Sequence, residues 1–203
     1  MEVFSPESTR QQTFYASSSN SFDLDMMSQM DDFHYGENDE CQVLVLKYDP
    51  EYIAMNVFLP KEKFGLEKFE KGLTGTKLKD LMNSVSEMQV TVTMPKFKFE
   101  SDVNLKDALK EMGITEMFTD QADLSVITGS PELLVSDAKH KTFIEVDENG
   151  TKAAAVTAFK IVPMSLVIQE KEIFFTADHP FMFAIVDRRN GNILFMGRYT
   201  GKS

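Results

Sequence analysis

Three histidines and a single cysteine are the side chains of this sequence best suited to catalytic or metal chemistry. His34 and Cys41 are close along the chain, and a thiol beside an imidazole is the pairing of a cysteine nucleophile with its base. Both residues border polar turns, so the sequence does not favour this pair. We expect a buried, hydrogen-bonded side chain for His140 and a structural hydrogen-bonding role for His179. No second His or Cys stands at ligand spacing, so neither a metal site nor a cofactor is expected.

The sequence also lacks the motifs of common enzymes. It contains no G-x-S-x-G elbow, H-E-x-x-H helix, C-x-x-C pair or glycine-rich phosphate loop, and we therefore predict that the protein is not an enzyme. Of its 203 residues, 42% are hydrophobic and 26% are charged, which suits a globular protein with a sizeable core. The net charge of −11 disfavours nucleic acid as a partner, because phosphate backbones repel an acidic chain.

No segment is expected to cross a membrane, so a membrane is not among the expected partners. The longest weakly charged stretch, residues 153–168, contains Lys160 and Pro163 and is too short for a spanning helix. The first residues have neither a basic start nor an apolar run, so no signal peptide is expected there. The single cysteine excludes an internal disulfide framework.

The most informative segment is residues 148–166, ENGTKAAAVTAFKIVPMSL, which lies between two predicted strands. Its alanines, threonines and glycine make a poor strand sequence, and its pattern is too weak for a buried helix. A loop of this length within a domain is usually functional or disordered. A flexible linker is therefore the alternative to a functional loop.

The alternation of side chains along an extended strand gives a sharper prediction for this loop. One face would carry only small, uncharged residues, namely Thr151, Ala153, Ala155 and Thr157. The opposite face would carry Lys152, Ala154, Val156 and Ala158, which include the only charge. The first face would fit inside a closed sheet without a buried charge, so the pattern predicts a loop built to insert.

The segments around this loop predict a fold dominated by antiparallel sheet. Residues 42–48 and 53–59 are expected to form a strand pair buried on both faces. Apolar residues at helical spacing predict two short helices across residues 66–82. Residues 90–99 alternate on either side of Pro95, which predicts a strand that bends or changes sheet there.

Further along the chain, Asn104 is the predicted N-cap of a helix over residues 105–112. Residues 140–146 predict another strand. The apolar runs 181–186 and 193–196 predict a hairpin, because Asn190-Gly191 between them is a strong turn signal. Short helices combined with several strands place the chain in the α+β class.

The first forty residues hold nine acidic residues and one basic residue, a balance of −8. They are also rich in Ser, Asn and Gln, so the first prediction for them is an extended, solvated surface segment. The alternative is a set of strands whose sheet partners lie outside this chain.

Several stretches of the sequence, taken in order, resemble the serpins, the large family of serine-protease inhibitors. Residues 148–155, ENGTKAAA, look like the serpin hinge. Residues 175–185, FTADHPFMFAI, match the family's C-terminal signature, and residues 193–198, ILFMGR, match its closing strand. Upstream matches lie at residues 94–99, 104–114, 122–124 and 140–141. The resemblance extends over essentially the whole chain from Phe4 onward.

The resemblance implies a serpin-like fold that is only partly present, because a complete serpin is much longer than this chain. Residues 1–203 are expected to form a partial serpin domain, α+β with mainly antiparallel sheets and a few short helices, whose N-terminal half is missing. Its exposed reactive loop would span about residues 148–168. The runs 43–46 and 181–186 are expected to be exposed where the absent half would pack. The family default compartment is the extracellular space, with the cytoplasm as the alternative.

The resemblance also implies a function, the inhibition of a serine-type endopeptidase as a suicide substrate. The protease cuts the exposed loop, and the cut loop then inserts into the main sheet and carries the acylated protease with it. A non-inhibitory serpin-like binding protein and a truncated product without independent activity are the alternatives. One strand beside the insertion site would belong to the missing half, so we expect this chain alone to be cut without trapping the protease.

The family pattern places the scissile bond between Met164 and Ser165, sixteen residues on from Glu148. Pro163 favours an extended, substrate-like backbone before that bond. The unbranched, apolar side chain of Met164 suits a hydrophobic primary pocket, so an elastase- or chymotrypsin-like serine protease is the expected partner. The bond Lys160–Ile161 is the alternative for trypsin-like enzymes.

The resemblance implies two further groups of functional residues. The loop hinge comprises Glu148, Gly150, Thr151, Ala153, Ala154, Ala155 and Thr157. Lys96 would pair with Glu148 where the loop enters the sheet, and His140 would lie where the central strands part. Both Lys96 and His140 are therefore expected to support the opening of the sheet.

Overall fold

The structure is a computed structural model that describes residues 4–129, 133–148 and 172–201. The chain divides into two compact units. One unit combines the chain up to Lys96 with the chain from Val146 onward, and the other is Phe97–Glu145. None of the helices within the described ranges has the length and apolar character that a membrane span requires.

The elements of the described residues are mostly strands. In chain order the strands are β1 Arg10–Tyr15, β2 Ser21–Glu37, β3 Cys41–Lys47, β4 Ile53–Pro60, β5 Ser86–Pro95, β6 Phe97–Asn104, β7 Lys139–Val146, β8 Ile173–Thr176, β9 Phe181–Asp187 and β10 Asn192–Tyr199. The helices are α1 Leu66–Lys71, α2 Gly75–Asn83, α3 Leu105–Glu111 and α4 Ser125–Thr128, with 3₁₀ turns at Pro6–Ser8 and Glu116–Phe118. This is the predicted α+β class with short helices.

The first unit is built on an eight-stranded sheet in the order β10-β9-β4-β3-β2-β5-β8, with β1 also paired to β2. The strand pairs are antiparallel except β5 and β8, which run parallel. The long strand β2 organises the sheet, because it pairs with β1, β5 and β3 over successive parts of its length. The predicted strand pair and the predicted C-terminal hairpin are confirmed as β3–β4 and β9–β10. Gly191 in the hairpin turn has φ of 74°, which suits the glycine of the turn signal.

Both predictions for the first forty residues are wrong in part. The segment is not a solvated extension, and its strands β1 and β2 find their partners within this chain. Asp23 and Asp25 are exposed on β2, whereas the neighbouring Leu24 and Met26 are buried. The acidic composition therefore marks the outer face of a strand whose other face joins the core.

One cluster of the first unit's core lies between the sheet and helices α1 and α2. Leu66 and Phe69 from α1 and Leu78 and Leu81 from α2 pack on residues of β3, β4 and β9. The predicted exposure of the runs 43–46 and 181–186 is wrong, since most of these residues are buried. Strands β3 and β9 also have a neighbour on both edges, so neither is an open edge of the sheet. Exposed apolar residues lie instead on the edge strand β10, at Ile193, Leu194, Phe195 and Met196.

The second unit contains the two-stranded sheet β6–β7 together with α3 and α4. The break between β5 and β6 confirms that the chain changes sheet directly after Pro95. The Asn104 side chain accepts a hydrogen bond from the Lys106 N–H at 3.0 Å, which confirms the predicted N-cap of α3. On one face of the sheet, ion pairs join Lys98 to Glu145 at 3.5 Å and Lys141 to Asp102 at 3.4 Å.

The close approach of β2 to the end of α2 makes Gly36 a sensitive position. A Cβ added to Gly36 would lie 2.7 Å from the backbone oxygen of Ser84, the residue directly after α2. Backbone cannot move aside as a flexible side chain does, so we expect Gly36→Ala to lower the free energy of unfolding by about 1–2 kcal/mol. Urea unfolding followed by circular dichroism would measure this change. Gly75→Ala is the control, because a Cβ there meets nothing within 4 Å. Equal unfolding midpoints for the two variants would contradict the prediction.

Candidate functional site

Three separate segments of the first unit meet at the point where the chain enters residues 149–171. Thr9 directly precedes β1, Lys96 stands between β5 and β6, and Glu148 follows β7 after one intervening residue. The Lys96 N–H donates a hydrogen bond to the backbone oxygen of Asp25 at 2.9 Å, which continues the β2–β5 pairing past Pro95. This pairing fixes the position from which the Lys96 side chain reaches Glu148.

The carboxylate of Glu148 is bound at both oxygens. Lys96 Nζ lies 2.7 Å from Oε2, and the Thr9 hydroxyl donates a hydrogen bond to Oε1 at 2.7 Å. Glu148 is only 7% exposed, whereas the Lys96 side chain is 37% exposed. A buried carboxylate requires such partners, because burial without them would be costly. We call Thr9, Lys96 and Glu148 the hinge-base cluster.

The hinge-base cluster shifts the pKa values of its two charged groups in opposite directions. Burial raises the pKa of Glu148, but the hydrogen bonds from Lys96 and Thr9 outweigh it, so the net pKa lies below the ordinary value. The hydrogen bond to Glu148 raises the pKa of Lys96 despite its partial burial. Both groups are therefore held in their charged forms.

The chain that follows residues 149–171 forms the edge strand β8, which belongs to the same unit as the hinge-base cluster. Val90 of β5 pairs with Ile173 and Thr93 pairs with Thr176, so β8 lies parallel to β5. Gln42 donates a side-chain hydrogen bond to the backbone oxygen of Phe174 at 3.1 Å, and Phe175 is fully buried. Residues 149–171 thus run between the hinge-base cluster and a short edge strand of the large sheet.

Strand β7, which leads to the hinge-base cluster, has an open edge. Within the described residues it pairs only with β6. An open edge presents a row of unpaired backbone N–H and C=O groups that can accept another strand.

His140 does not have the environment predicted for it. It is exposed near the start of β7 in the second unit, and its Nε2 lies 2.9 Å from the Thr142 hydroxyl. His140, Thr142, Ile144 and Val146 alternate onto one face of the strand, and only the last two are buried. The expectation of a buried histidine is wrong because His140 lies at the uncovered end of that face.

Most of the predicted loop residues lie outside the described residues. These are Gly150, Thr151, Ala153, Ala154, Ala155, Thr157, Pro163, Met164 and Ser165, together with the alternative bond Lys160–Ile161. Of the site residues predicted from the sequence, the structure describes Lys96, His140 and Glu148. It brings Lys96 and Glu148 into contact.

The other residues considered for catalysis or metal binding, Cys41 and His179, are held by structural hydrogen bonds. Burial raises the pKa of the Cys41 thiol to about 12, and its Sγ–H donates to the backbone oxygen of Gln42 rather than to His34. His179 is buried between the Asp178 carboxylate at 2.7 Å and the backbone oxygen of Pro60 at 2.8 Å, which confirms its structural role. Across the described ranges, no group of three or more His, Cys, Asp and Glu side chains could hold a metal ion.

Thr9 is the member of the hinge-base cluster that the sequence did not suggest. It lies 139 residues before Glu148 along the chain, in a Ser- and Glu-containing turn with no distinguishing motif. Only the pairing of β1 with β2 and of β2 with β5 brings it near Lys96. Local sequence patterns carry no signal for such a contact.

Comparison with protein families gives a match over residues 1–201 to the family described as Serpin, serine protease inhibitor. An uncharacterized serpin-like protein of Thermococcus kodakarensis is 43% identical over 96% of this chain and 45% of its own length. Human neuroserpin is 36% identical over 96% of this chain and 49% of its own length. A serine protease inhibitor of Cyanea capillata is 38% identical over 97% of this chain and 52% of its own length.

Solved structures show the same similarity. Uncleaved ovalbumin superposes with a TM-score of 0.84 at 29% identity, over 99% of this chain and 50% of its own chain. A tumour suppressing serpin superposes with a TM-score of 0.82 at 25% identity, over all of this chain and 53% of its own. The chain therefore spans about half the length of the relatives it matches.

Proposed function

Because this chain belongs to the serpin family, we propose that it carries the reactive loop of a serine protease inhibitor of the suicide-substrate type. The family is described as one of inhibitors rather than of catalysts. The observation that carries the proposal is the family match over residues 1–201, which includes the whole hinge and loop. The proposed partner is a serine protease, and no cofactor enters the proposal.

The composition of the loop supports the choice of scissile bond and target. Met164–Ser165 stands at the family spacing from Glu148, and Pro163 favours an extended backbone before it. An unbranched apolar side chain fits the hydrophobic slot of an elastase- or chymotrypsin-like protease. It would leave the buried carboxylate of a trypsin-like pocket unpaired.

Two features of the described residues support insertion of the cut loop. The open edge of β7 offers backbone groups to the segment that follows it, and each hydrogen bond formed there contributes on the order of 1 kcal/mol net. The hinge-base cluster holds Glu148, the last described residue before the loop, at a fixed point beside Lys96 and Thr9. Loop insertion would then start from a defined position.

A chimera tests this proposal, with the N-terminal portion of the Thermococcus kodakarensis relative placed before this chain to reach the full family length. We expect an SDS-stable adduct with a chymotrypsin- or elastase-like protease on a denaturing gel. A chimera that is cut at the loop without any adduct would refute the insertion mechanism and favour a non-inhibitory family member. This chain without the added portion should be cut and form no adduct.

Thr157→Arg in the same chimera should convert the inhibitor into a substrate. The alternation predicts that Thr157 belongs to the small, uncharged face of the loop. Burying an unpaired charge on that face costs several kcal/mol, so insertion should slow. We expect the ratio of adduct to cleaved loop to fall by about tenfold. An increase of about 1.4 kcal/mol in the barrier to insertion is enough to slow insertion tenfold. Val156→Arg is the control, because the alternation predicts that Val156 faces the opposite way. Equal trapping by both variants would show that the assignment of faces is wrong.

A further inference from the structure

Strand β8 carries two adjacent aromatic residues close in sequence to the proposed scissile bond. Phe174 and Phe175 follow Ser165 by nine and ten residues. The Phe174 side chain is 54% exposed, whereas Phe175 is fully buried. Large aromatic side chains suit the hydrophobic slot of a chymotrypsin-like protease at least as well as methionine does. Strand β8 is therefore a competing target for a protease of that class.

The backbone of β8 is bound on one edge by β5. The Ala177 N–H, directly after β8, donates a hydrogen bond to the backbone oxygen of Thr93 at 2.8 Å. Because backbone groups alternate along a strand, those of Phe175 also face β5, and those of Phe174 face away from it. A protease binds its substrate as an extended strand that pairs through such outward-facing groups.

The side chain of Gln42, from β3, contacts β8 on the edge that faces away from β5. Its Nε2 donates hydrogen bonds to the backbone oxygen of Phe174 at 3.1 Å and to the Tyr35 hydroxyl at 2.8 Å. An amide nitrogen carries two hydrogens, so these two bonds use both of them. Tyr35 is only 3% exposed, so its hydroxyl is a fixed acceptor that orients the amide. We call Gln42, the Tyr35 hydroxyl and the Phe174 carbonyl the β8 anchor.

We propose that Gln42 is a specificity-determining residue, which directs a chymotrypsin-like protease to residues 149–171 by holding β8 in the sheet. Cleavage in β8 requires local opening, and the cleavage rate follows the population of the open state when opening and closing are fast. The hydrogen bond from Gln42 lowers that population. The inference rests on the proposed function for the class of protease, but not for the position of the bond that is cut in the loop.

Limited proteolysis of the full chain by chymotrypsin under native conditions, followed by mass spectrometry, tests the proposal. Gln42→Leu removes the two donors at similar size, and Gln42→Glu keeps the length but places an acceptor opposite the Phe174 oxygen. We expect both variants to be cut after Phe174 or Phe175 about fivefold faster than the parent. Gln11→Leu is the control, because it removes an exposed amide that bonds Asp25 on β2, and its cleavage rate in β8 should be parental.

Hydrogen exchange separates local release of β8 from a general loss of stability. The amides of Phe175 and Ala177 face β5 and should exchange about fivefold faster in Gln42→Leu than in the parent. The amides of β4 and β9 should remain as protected as in the parent, because the β8 anchor does not include them.

Parental rates of cleavage after Phe174 and Phe175 in both Gln42 variants would overturn the proposal. Exchange that is faster by the same factor across β4, β8 and β9 would also overturn it, because Gln42 would then have only a general structural role. A loop that is cut away from Met164–Ser165 would contradict the proposed scissile bond and leave the protection of β8 unaffected.

Discussion

Replacing Met164 by arginine should redirect loop cleavage from elastase- and chymotrypsin-like proteases to trypsin-like ones. In the proposed loop, Met164 supplies the side chain for the primary pocket, so the change leaves Pro163 and the hinge as they are. An arginine pairs with the buried carboxylate of a trypsin-like pocket, whereas methionine leaves that carboxylate unpaired. We expect the ratio of the two cleavage rates to change by at least about a hundredfold. A pocket built to pair with a polar group strongly rejects a side chain that leaves that group unpaired.

The measurement needs only this chain and two proteases. Mass spectrometry of the fragments identifies the bond that is cut, and the time course gives the rate for each protease. Lys160→Gln is the control, because it removes the alternative cleavage site for a trypsin-like enzyme without altering Met164. If Met164→Arg leaves the preference unchanged while Lys160→Gln abolishes tryptic cleavage, the reactive bond is Lys160–Ile161.

Removing the Glu148 side chain should cost more stability than removing any exposed carboxylate of this chain. Glu148→Ala deletes the hydrogen bond from Thr9 and the ion pair with Lys96, and both of these involve a buried, charged acceptor. Lys96 is partly exposed, so water can replace part of its interaction. We expect the free energy of unfolding to fall by about 2–3 kcal/mol.

Urea unfolding at neutral pH gives this difference directly. Glu67→Gln is the control, since the Glu67–Lys71 pair is exposed on α1 and should leave the unfolding midpoint unchanged. Thr9→Val offers a second test, because it removes one of the two partners of Glu148 and should have a smaller effect. A Glu148→Ala protein as stable as the parent would show that the hinge-base cluster does not stabilise the native state.

The contribution of the hinge-base cluster to stability should depend on pH in a defined way. The pKa of Glu148 is lowered on folding. The stabilisation that Glu148 provides is therefore fully present above its ordinary pKa of 4.5 and is lost as the pH falls through its pKa in the folded protein. The pKa of Lys96 is raised, so its contribution is present below 10.5 and is lost as the pH rises through the folded pKa. The stability difference between the parent and Glu148→Ala should therefore be flat between these limits.

Local patterns were sufficient to predict several elements of the fold. The β3–β4 pair and the Asn190-Gly191 hairpin each depend on residues that are near in sequence, so alternation and turn chemistry identified them. The Asn104 cap is equally local. The change of sheet after Pro95 followed from the inability of proline to donate a ladder hydrogen bond.

The features that the sequence did not predict depend on distant pairing. Composition alone described the first forty residues as solvated, although β2 pairs with β5 residues that come some sixty positions later. Thr9 reaches Glu148 only through that arrangement. The exposure of His140 depends on how far burial extends along β7, which alternation does not specify. Family resemblance supplied the Lys96–Glu148 pair, which no local pattern indicates.

The order of strands in the large sheet has a consequence for synthesis on the ribosome. Strand β4 is synthesised well before one of its two neighbours, β9, because Phe58 pairs with Met182, 124 residues later in the chain. Until those residues leave the ribosome, one edge of β4 has no native partner, and such edges are sites of off-pathway association. Pairings of this sequence separation also slow folding, because long loops must close before contacts form. The nascent chain therefore needs protection at β4 until β9 has been synthesised.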